Sequence, residues 1–371
     1  MPDIMIRFVI PGVFVVLLAG CSDRISNLEP VGPMDSEIEL TYEQVQDIHE
    51  AAEASATAQP EFSSVIQTMP SNVDDISTSF DAETRDVVVT ISRDDGTELV
   101  LDTSQPDVDK RELGQHSLID PRRGTDARLL GHPPDGLGTF KARVITSWDP
   151  DDLADWGTGG YWAHLTDDGT QVGAFVDGPE FDAAPSLPAT GSASYLGLVG
   201  GLFTADLGSD YTEGSYASGE YDGHVQLTIA FDGGPNDDAS VLGRISDLAL
   251  VGDLVDHEGG TTTYGDGHKW RRVEMRLDNT PLSAEGELTG TLSAYGGHVT
   301  SSEGVWGAVV SSRQDANGDP RAIAGTQGAI VYTTDGSEFT FMGALFAYSE
   351  AWLFSDAAEP IPVPQSQVPS P

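Results

Sequence analysis

The sequence is short of cysteine, of lysine and of long apolar runs. One cysteine, Cys21, stands among 371 residues. Neither an internal disulfide nor a cysteine-rich zinc site can therefore form. Lysine occurs only as Lys110, Lys141 and Lys269, and all Lys and Arg together number 18 against 60 Asp and Glu. The formal charge of −42 excludes a protein that tracks a phosphate backbone, because affinity for nucleic acid comes mainly from Lys and Arg. No apolar run reaches the roughly 20 residues that a spanning helix needs. What is present suffices for a core: 39% of residues are hydrophobic. The length allows about two domains.

Residues 8–19 form a short apolar run with Arg7 before it. That is the length of a signal-peptide core, too short to span a bilayer. The run ends Leu17-Leu18-Ala19-Gly20-Cys21. This resembles the bacterial lipobox, which implies a signal peptide over 1–20, cleavage before Cys21 and lipidation of its thiol. Residue 22 is Ser rather than the aspartate that resembles an inner-membrane retention signal. Delivery to the outer membrane is expected, with membrane lipid as a partner through acylated Cys21. Several acyl chains anchor a soluble domain stably where one is marginal.

Residues 21–60 read as a tether followed by a short helix. Pro30 and Pro33 interrupt the polar stretch 22–40, which extended spans about 3.3 Å per residue. Thr41 and Gln44 form a capping-box pattern, and Tyr42, Val45, Ile48 and Ala52 recur at helical spacing. Glu50 and Glu53 are expected on the exposed face, and Pro60 stops the helix.

A β-rich handle is expected over 61–180. Val87, Val89 and Ile91 alternate with polar neighbours, Asp94-Asp95-Gly96 turns the chain, and Leu99 and Leu101 return. Residues 103–138, with Pro106, Pro121, Pro133 and Pro134, show little periodicity and read as a long loop. A second hairpin pairs 161–166 with 171–176 across Asp167-Asp168-Gly169.

Over 181–355 the strand pattern is denser. Eight strands are expected at 191–204, 221–232, 240–250, 270–278, 285–295, 303–312, 321–333 and 338–348. Tyr221, Val225, Leu227, Ile229 and Phe231 alternate with Asp222, His224, Gln226 and Thr228. Eight consecutive short strands predict an antiparallel eight-stranded β-barrel, whose closure removes exposed edges. A barrel of this size is filled by side chains or holds one small ligand. The fold class is thus mainly β: a barrel preceded by a smaller β-rich handle and a short N-terminal helix. The last strand is apolar on both faces, Phe339, Phe341 and Leu345 against Met342, Ala344, Phe346 and Tyr348. An exposed stripe of that size is unusual, so the 80–178 region is expected to cover it. Residues 356–371 are proline-rich and read as a disordered polyproline tail.

Several segments resemble the transferrin-binding-protein-B-like surface lipoproteins. Leu187-Pro188-Ala189-Thr190-Gly191-Ser192-Ala193-Ser194-Tyr195-Leu196-Gly197 resembles the opening of that family's barrel domain. Tyr161-Trp162 and the run from Gly173 to Gly178 resemble the strands before it. Leu242-Gly243-Arg244-Ile245, Val305-Trp306-Gly307, Ala324-Gly325-Thr326 and the run from Phe341 to Ala347 follow in order. The resemblance covers about residues 140–350, one handle-plus-barrel lobe rather than two. It implies a cell-surface lipoprotein that binds a host protein or a haem or iron carrier. The family binds through variable loops, so no binding residue transfers.

The chemistry-bearing patterns point away from catalysis. The histidines, His49, His116, His132, His164, His224, His257, His268 and His298, lack the paired spacing of a zinc helix, and no metal site or cofactor is expected. Asp315-Ala316-Asn317-Gly318-Asp319 starts like a calcium loop, but Pro320 and Thr326 stand where Gly and Glu are needed, leaving a polar turn. Gly191-Ser192-Ala193-Ser194 is no nucleophile elbow. Asp149, Asp151, Asp152 and Asp155 beside Trp148 and Trp156 raise glycoside chemistry; an acidic surface turn is the simpler reading. The Gly-rich segment 251–269, with His257, Tyr264, His268 and Trp270, is the candidate ligand-binding loop. The expected function is a surface-exposed, non-catalytic binding lipoprotein. A periplasm-facing structural or assembly lipoprotein is the alternative, and a hydrolase ranks last.

Overall fold

The computed structural model describes residues 39–62, 65–68, 70, 73–94, 96–113, 123–131, 138–149, 151–208, 215–231, 239–257, 260–269 and 273–353. The lipobox with Cys21, the tether before residue 39, Trp270 and the 356–371 tail lie outside them.

Helix α1, Tyr42–Ala56, starts where the capping pattern places it. Thr41 Oγ1 accepts from the Gln44 amide at 3.3 Å, and Gln44 Oε1 accepts from the Thr41 amide at 2.9 Å. Two otherwise unpaired donors are thereby satisfied. Its buried face is Val45, Ile48, His49, Ala52, Ser55 and Ala56. Glu50 is exposed as expected, but Glu53 is half-buried against the barrel.

Among the described residues, ten strands precede the barrel. They are β1 Glu61–Phe62, β2 Ile66–Thr68, β3 Val73–Phe80, β4 Val87–Arg93, β5 Glu98–Asp102, β6 Asp109–Leu113, β7 Arg123–Gly131, β8 Thr139–Trp148, β9 Trp156–Thr166 and β10 Gly169–Asp177. β3, β4 and β5 form a three-stranded sheet; β1-β2-β10-β9-β8-β7-β6 form a seven-stranded one. Both expected hairpins are present, β4 with β5 and β9 with β10. The long loop over 103–138 is not: β6 and β7 lie within it and pair with each other. Their alternation was hidden because β7 carries Asp126 and Arg128 on a buried face, where apolar residues would normally mark a strand.

The barrel strands are β11 Gly191–Asp206, β12 Tyr216–Phe231, β13 Ser240–Val255, β15 Val273–Pro281, β16 Glu287–Gly296, β17 Val299–Val310, β18 Ala322–Thr333 and β19 Glu338–Ser349. Each pairs antiparallel with the next, and β19 returns to β11, so eight strands close into a barrel. The segment read as a loop over 251–269 is a hairpin instead. β13 continues to Val255, and β14, Thr261–Lys269, pairs with its second half while β15 pairs with its first. Thr261 to Lys269 is polar and Gly-bearing, which resembles a loop in composition; backbone pairing to β13 holds it extended.

The period-two alternation decides which side chains go inside. Tyr195, Phe203, Tyr221, Leu227, Phe231, Met275, Leu277, Trp306, Phe341 and Leu345 share one buried interior cluster. Burying each such side chain contributes about 1.5–3 kcal/mol. At β19 the other face is covered too. Met342 packs with Tyr161, Val172 and Ala174 of the seven-stranded sheet, and Ala344 with Val176. The seven-stranded sheet thus lies on the outer wall of the barrel. Its opposite face, with Phe140, Ala142, Val144 and Trp162, packs on Ile76, Val89, Ile91 and Leu99 of the three-stranded sheet.

Candidate functional site

A filled interior moves any ligand to the outside of the barrel. Strand direction sorts the connections into two ends. The end at which β11, β13, β16 and β18 finish gathers residues 207–208, 215, 256–257, 260, 297–298 and 334–337. Ser337 Oγ donates to the Leu207 carbonyl at 3.3 Å, and the Thr334 amide donates to the His298 carbonyl at 2.8 Å, tying these turns together. His257 and His298 are both exposed in turns at this end. The candidate segment divides. His257 sits in the turn between β13 and β14, where the Asp256 carboxylate accepts from the Gly260 amide at 2.8 Å. Tyr264 instead packs its ring 5.8 Å from Phe203, partly closing the barrel core. It is a packing residue with a half-exposed ring. His268 lies on β14, and Trp270 lies outside the described residues.

The strongest electrostatic feature lies between the seven-stranded sheet and the barrel. The sheet face turned to the barrel carries Asp126 and Arg128 from β7 and Arg143 from β8. Arg143 Nε donates to Asp126 Oδ1 at 3.1 Å, and its Nη1 donates to Asp222 Oδ1 of β12 at 2.9 Å. Arg128 Nε reaches Glu220 Oε2 at 2.8 Å, and the Tyr161 hydroxyl donates to Glu220 Oε1 at 3.2 Å. Burial opposes the charge on Arg143, but Asp222, Glu220 and Asp126 outweigh it and hold the guanidinium protonated. Lys141, buried on the same face, has its proton affinity lowered by burial, against Glu220 and Asp253.

A second buried cluster corrects the reading of the acidic turn. Asp155 is only 1% exposed. It receives Arg321 Nη1 at 2.6 Å and Nη2 at 2.8 Å, and Arg321 Nη2 also donates to Glu180 Oε2 at 2.8 Å. Asp149, Asp151 and Asp152 do form the exposed or half-exposed turn that was expected. Phe80 occupies the neighbouring tryptophans, its ring centroid 5.8 Å from Trp148 and 5.5 Å from Trp156. Two carboxylates that clamp a guanidinium are not poised to exchange protons with a sugar. Sequence reasoning missed Glu180 and Arg321 because nothing in their local pattern marks them; only the fold unites them with Asp155.

The Asp315 turn is a polar turn, its carboxylate accepting from the Asn317 amide at 2.8 Å and the Asp319 amide at 3.1 Å. A shallow depression of about 460 Å³ is lined by Phe62, Pro281, Leu282, Ser283, Glu287 and Leu288 and holds no nucleophile–base pair. Among the described residues, one group of mixed ligand type comes together, His49, Glu53 and Glu338, with ligand atoms within 4.8 Å of one another.

No family model and no curated protein matches this chain. Among solved structures it is similar to a crystal structure of a protein of unknown function from the DUF3598 family of Nostoc punctiforme. The two share 9% identity with a TM-score of 0.20, over 84% of this chain and 99% of that one. A likeness this slight assigns neither family nor function, and these comparisons give no support to a relationship with transferrin-binding protein B.

Proposed function

We propose that this chain is a lipid-anchored lipoprotein of the outer membrane, exposed at the cell surface. In this reading it binds a protein or a haem or iron carrier through barrel-end loops and catalyses no reaction. The observation that carries the reading is the filled barrel. With Tyr221, Trp306 and Phe341 occupying the interior, recognition falls to the turns at the rim. Rigid strands present loops well, and loops are where binding residues concentrate. The lipobox at Cys21 supports the anchor. The ordered segments that resemble the transferrin-binding-protein-B-like lobe support the ligand class. The end bearing His257 and His298 is the proposed binding face.

Protease shaving of intact cells tests the display. Digestion of the barrel before the outer membrane is broken is expected; full protection until breakage would refute surface exposure and favour the periplasm-facing structural alternative. Affinity capture with the purified protein tests the binding. An iron- or haem-carrying partner lost on deletion of 257–260 is expected, and its retention would remove the rim from the proposal.

A further inference from the structure

Helix α1 docks beside the loop-bearing end of the barrel and points a buried histidine at it. His49 is 4% exposed. Its Nδ1 lies 2.9 Å from Thr204 Oγ1 of β11, and its Nε2 lies 3.6 Å from Glu338 Oε1 at the start of β19. Glu53 follows one helical turn later, so it shares the face of His49.

The contact between His49 and Glu338 is of an unusual kind. At 3.6 Å it is too long for a hydrogen bond. Yet Glu338 Oε1 is buried and has no hydrogen-bond partner. A buried acceptor left without a donor is costly. Two ligand atoms that share a tetrahedral zinc ion at its usual bond lengths stand about 3.3 Å apart. In the tautomer whose Nδ1–H is donated to the Thr204 hydroxyl, the Nε2 lone pair faces the carboxylate. Two acceptors then face one another, an arrangement a cation between them resolves.

The surroundings suit a cation. Asp206 and Glu50 act electrostatically on both His49 and Glu53.

We propose that His49, Glu53 and Glu338 form a divalent-cation site of zinc type that pins helix α1 to the barrel wall. One imidazole and two carboxylates, without a thiolate, are a hard-to-borderline donor set that Zn²⁺ accepts. The half-exposed Glu53 side leaves a fourth position open to water. The site needs neither the anchor nor the rim loops, and so stands apart from the proposed ligand binding.

Equilibrium dialysis of the EDTA-stripped, purified full-length protein against ZnCl₂ tests the site. One tightly held equivalent is expected above the weak background of surface carboxylates, together with a thermal midpoint that rises with added Zn²⁺. His49→Gln and Glu53→Gln are each expected to weaken that equivalent by at least roughly tenfold and to abolish the rise. Glu43→Gln, an exposed acid of the same helix, is expected to keep both. Glu53 is half-exposed, so its variant decides the matter even where His49→Gln fails to fold. No stoichiometric Zn²⁺, or an equivalent that survives in either site variant, overturns the proposal.

Discussion

Asp155 and Arg321 stand 166 residues apart in sequence and meet as a fork on a fork, with both guanidinium Nη atoms on the two carboxylate oxygens at 2.6 and 2.8 Å. The same guanidinium holds Glu180 at 2.8 Å. Burial works against the charge on Arg321, but Asp155 and Glu180 outweigh it and raise its proton affinity. The cluster clasps the chain just before β9 and just after β10 to the barrel.

Arg321→Met removes the shared partner of two buried carboxylates. Breaking a buried ion pair from one side costs about 3–5 kcal/mol. A loss near the lower limit is expected, because Arg313 Nη1 still reaches Asp155 at 2.9 Å. Arg321→Lys should recover little of it, since an ammonium cannot present two parallel donors. Urea unfolding measures both; equal stability of Arg321→Met and the native chain would show the clasp to be ornamental.

Gly201 and Gly343 face each other where the first and last barrel strands meet. A Cβ on Gly201 would come within 2.0 Å of the Met342 carbonyl oxygen and 2.5 Å of the Gly343 Cα. Backbone on both sides cannot yield without separating the strands. Gly201→Ala is expected to cost about 3 kcal/mol or more, in the range of overpacked cores. The readout is loss of near-ultraviolet circular dichroism at a lower denaturant concentration.

Met342 faces the seven-stranded sheet rather than the barrel interior. It is fully buried, so Met342→Ala should cost about 2–5 kcal/mol. Amide exchange is expected to speed up in β9 and β10 more than in β15 and β16, which lie away from that contact. Uniform loss of protection would instead mean that the barrel itself had loosened.

Asp177 is a carboxyl that would be better neutral. Burial raises its proton affinity, although Thr78 and the Gly178 amide, donating at 2.7 Å, oppose the shift. The folded state therefore binds the proton more readily than the unfolded chain. The stability so gained is complete below the ordinary aspartate range and is lost as pH rises through the folded-state value. Asp177→Asn keeps an acceptor for the Gly178 amide, and its amide N–H can donate to the Thr78 hydroxyl, which in the native chain donates to the carboxylate. It should raise stability at pH 7 and flatten the pH dependence of the thermal midpoint at and above the ordinary aspartate range. A destabilised Asp177→Asn would contradict this account.

Much of the barrel was legible because its strands obey one rule: apolar residues inside, polar ones outside, as in Tyr221 to Phe231. The need for a cover over Met342, Ala344 and Phe346 was legible for the same reason. β7 was not, because Asp126 and Arg128 replace the apolar residues that a two-sided buried strand usually carries, and Glu220, the partner of Arg128, lies 92 residues further along the chain. β14 was not, because its hold is backbone pairing to β13. The candidate sites fared by separation. His257 was visible as a loop histidine from its Gly-rich neighbourhood. His49 and Glu53 show a helical spacing, but Glu338 joins them only after the barrel has closed.

The strand that seals the barrel is also the one on which the seven-stranded sheet rests. Among the described strands β19 is the last to be made, so the flank formed by Tyr161, Val172 and Ala174 waits for its counterpart until the other barrel strands are out. Contacts this distant along the chain form slowly. Closure of the barrel and docking of the sheet are therefore late steps of folding that share one strand.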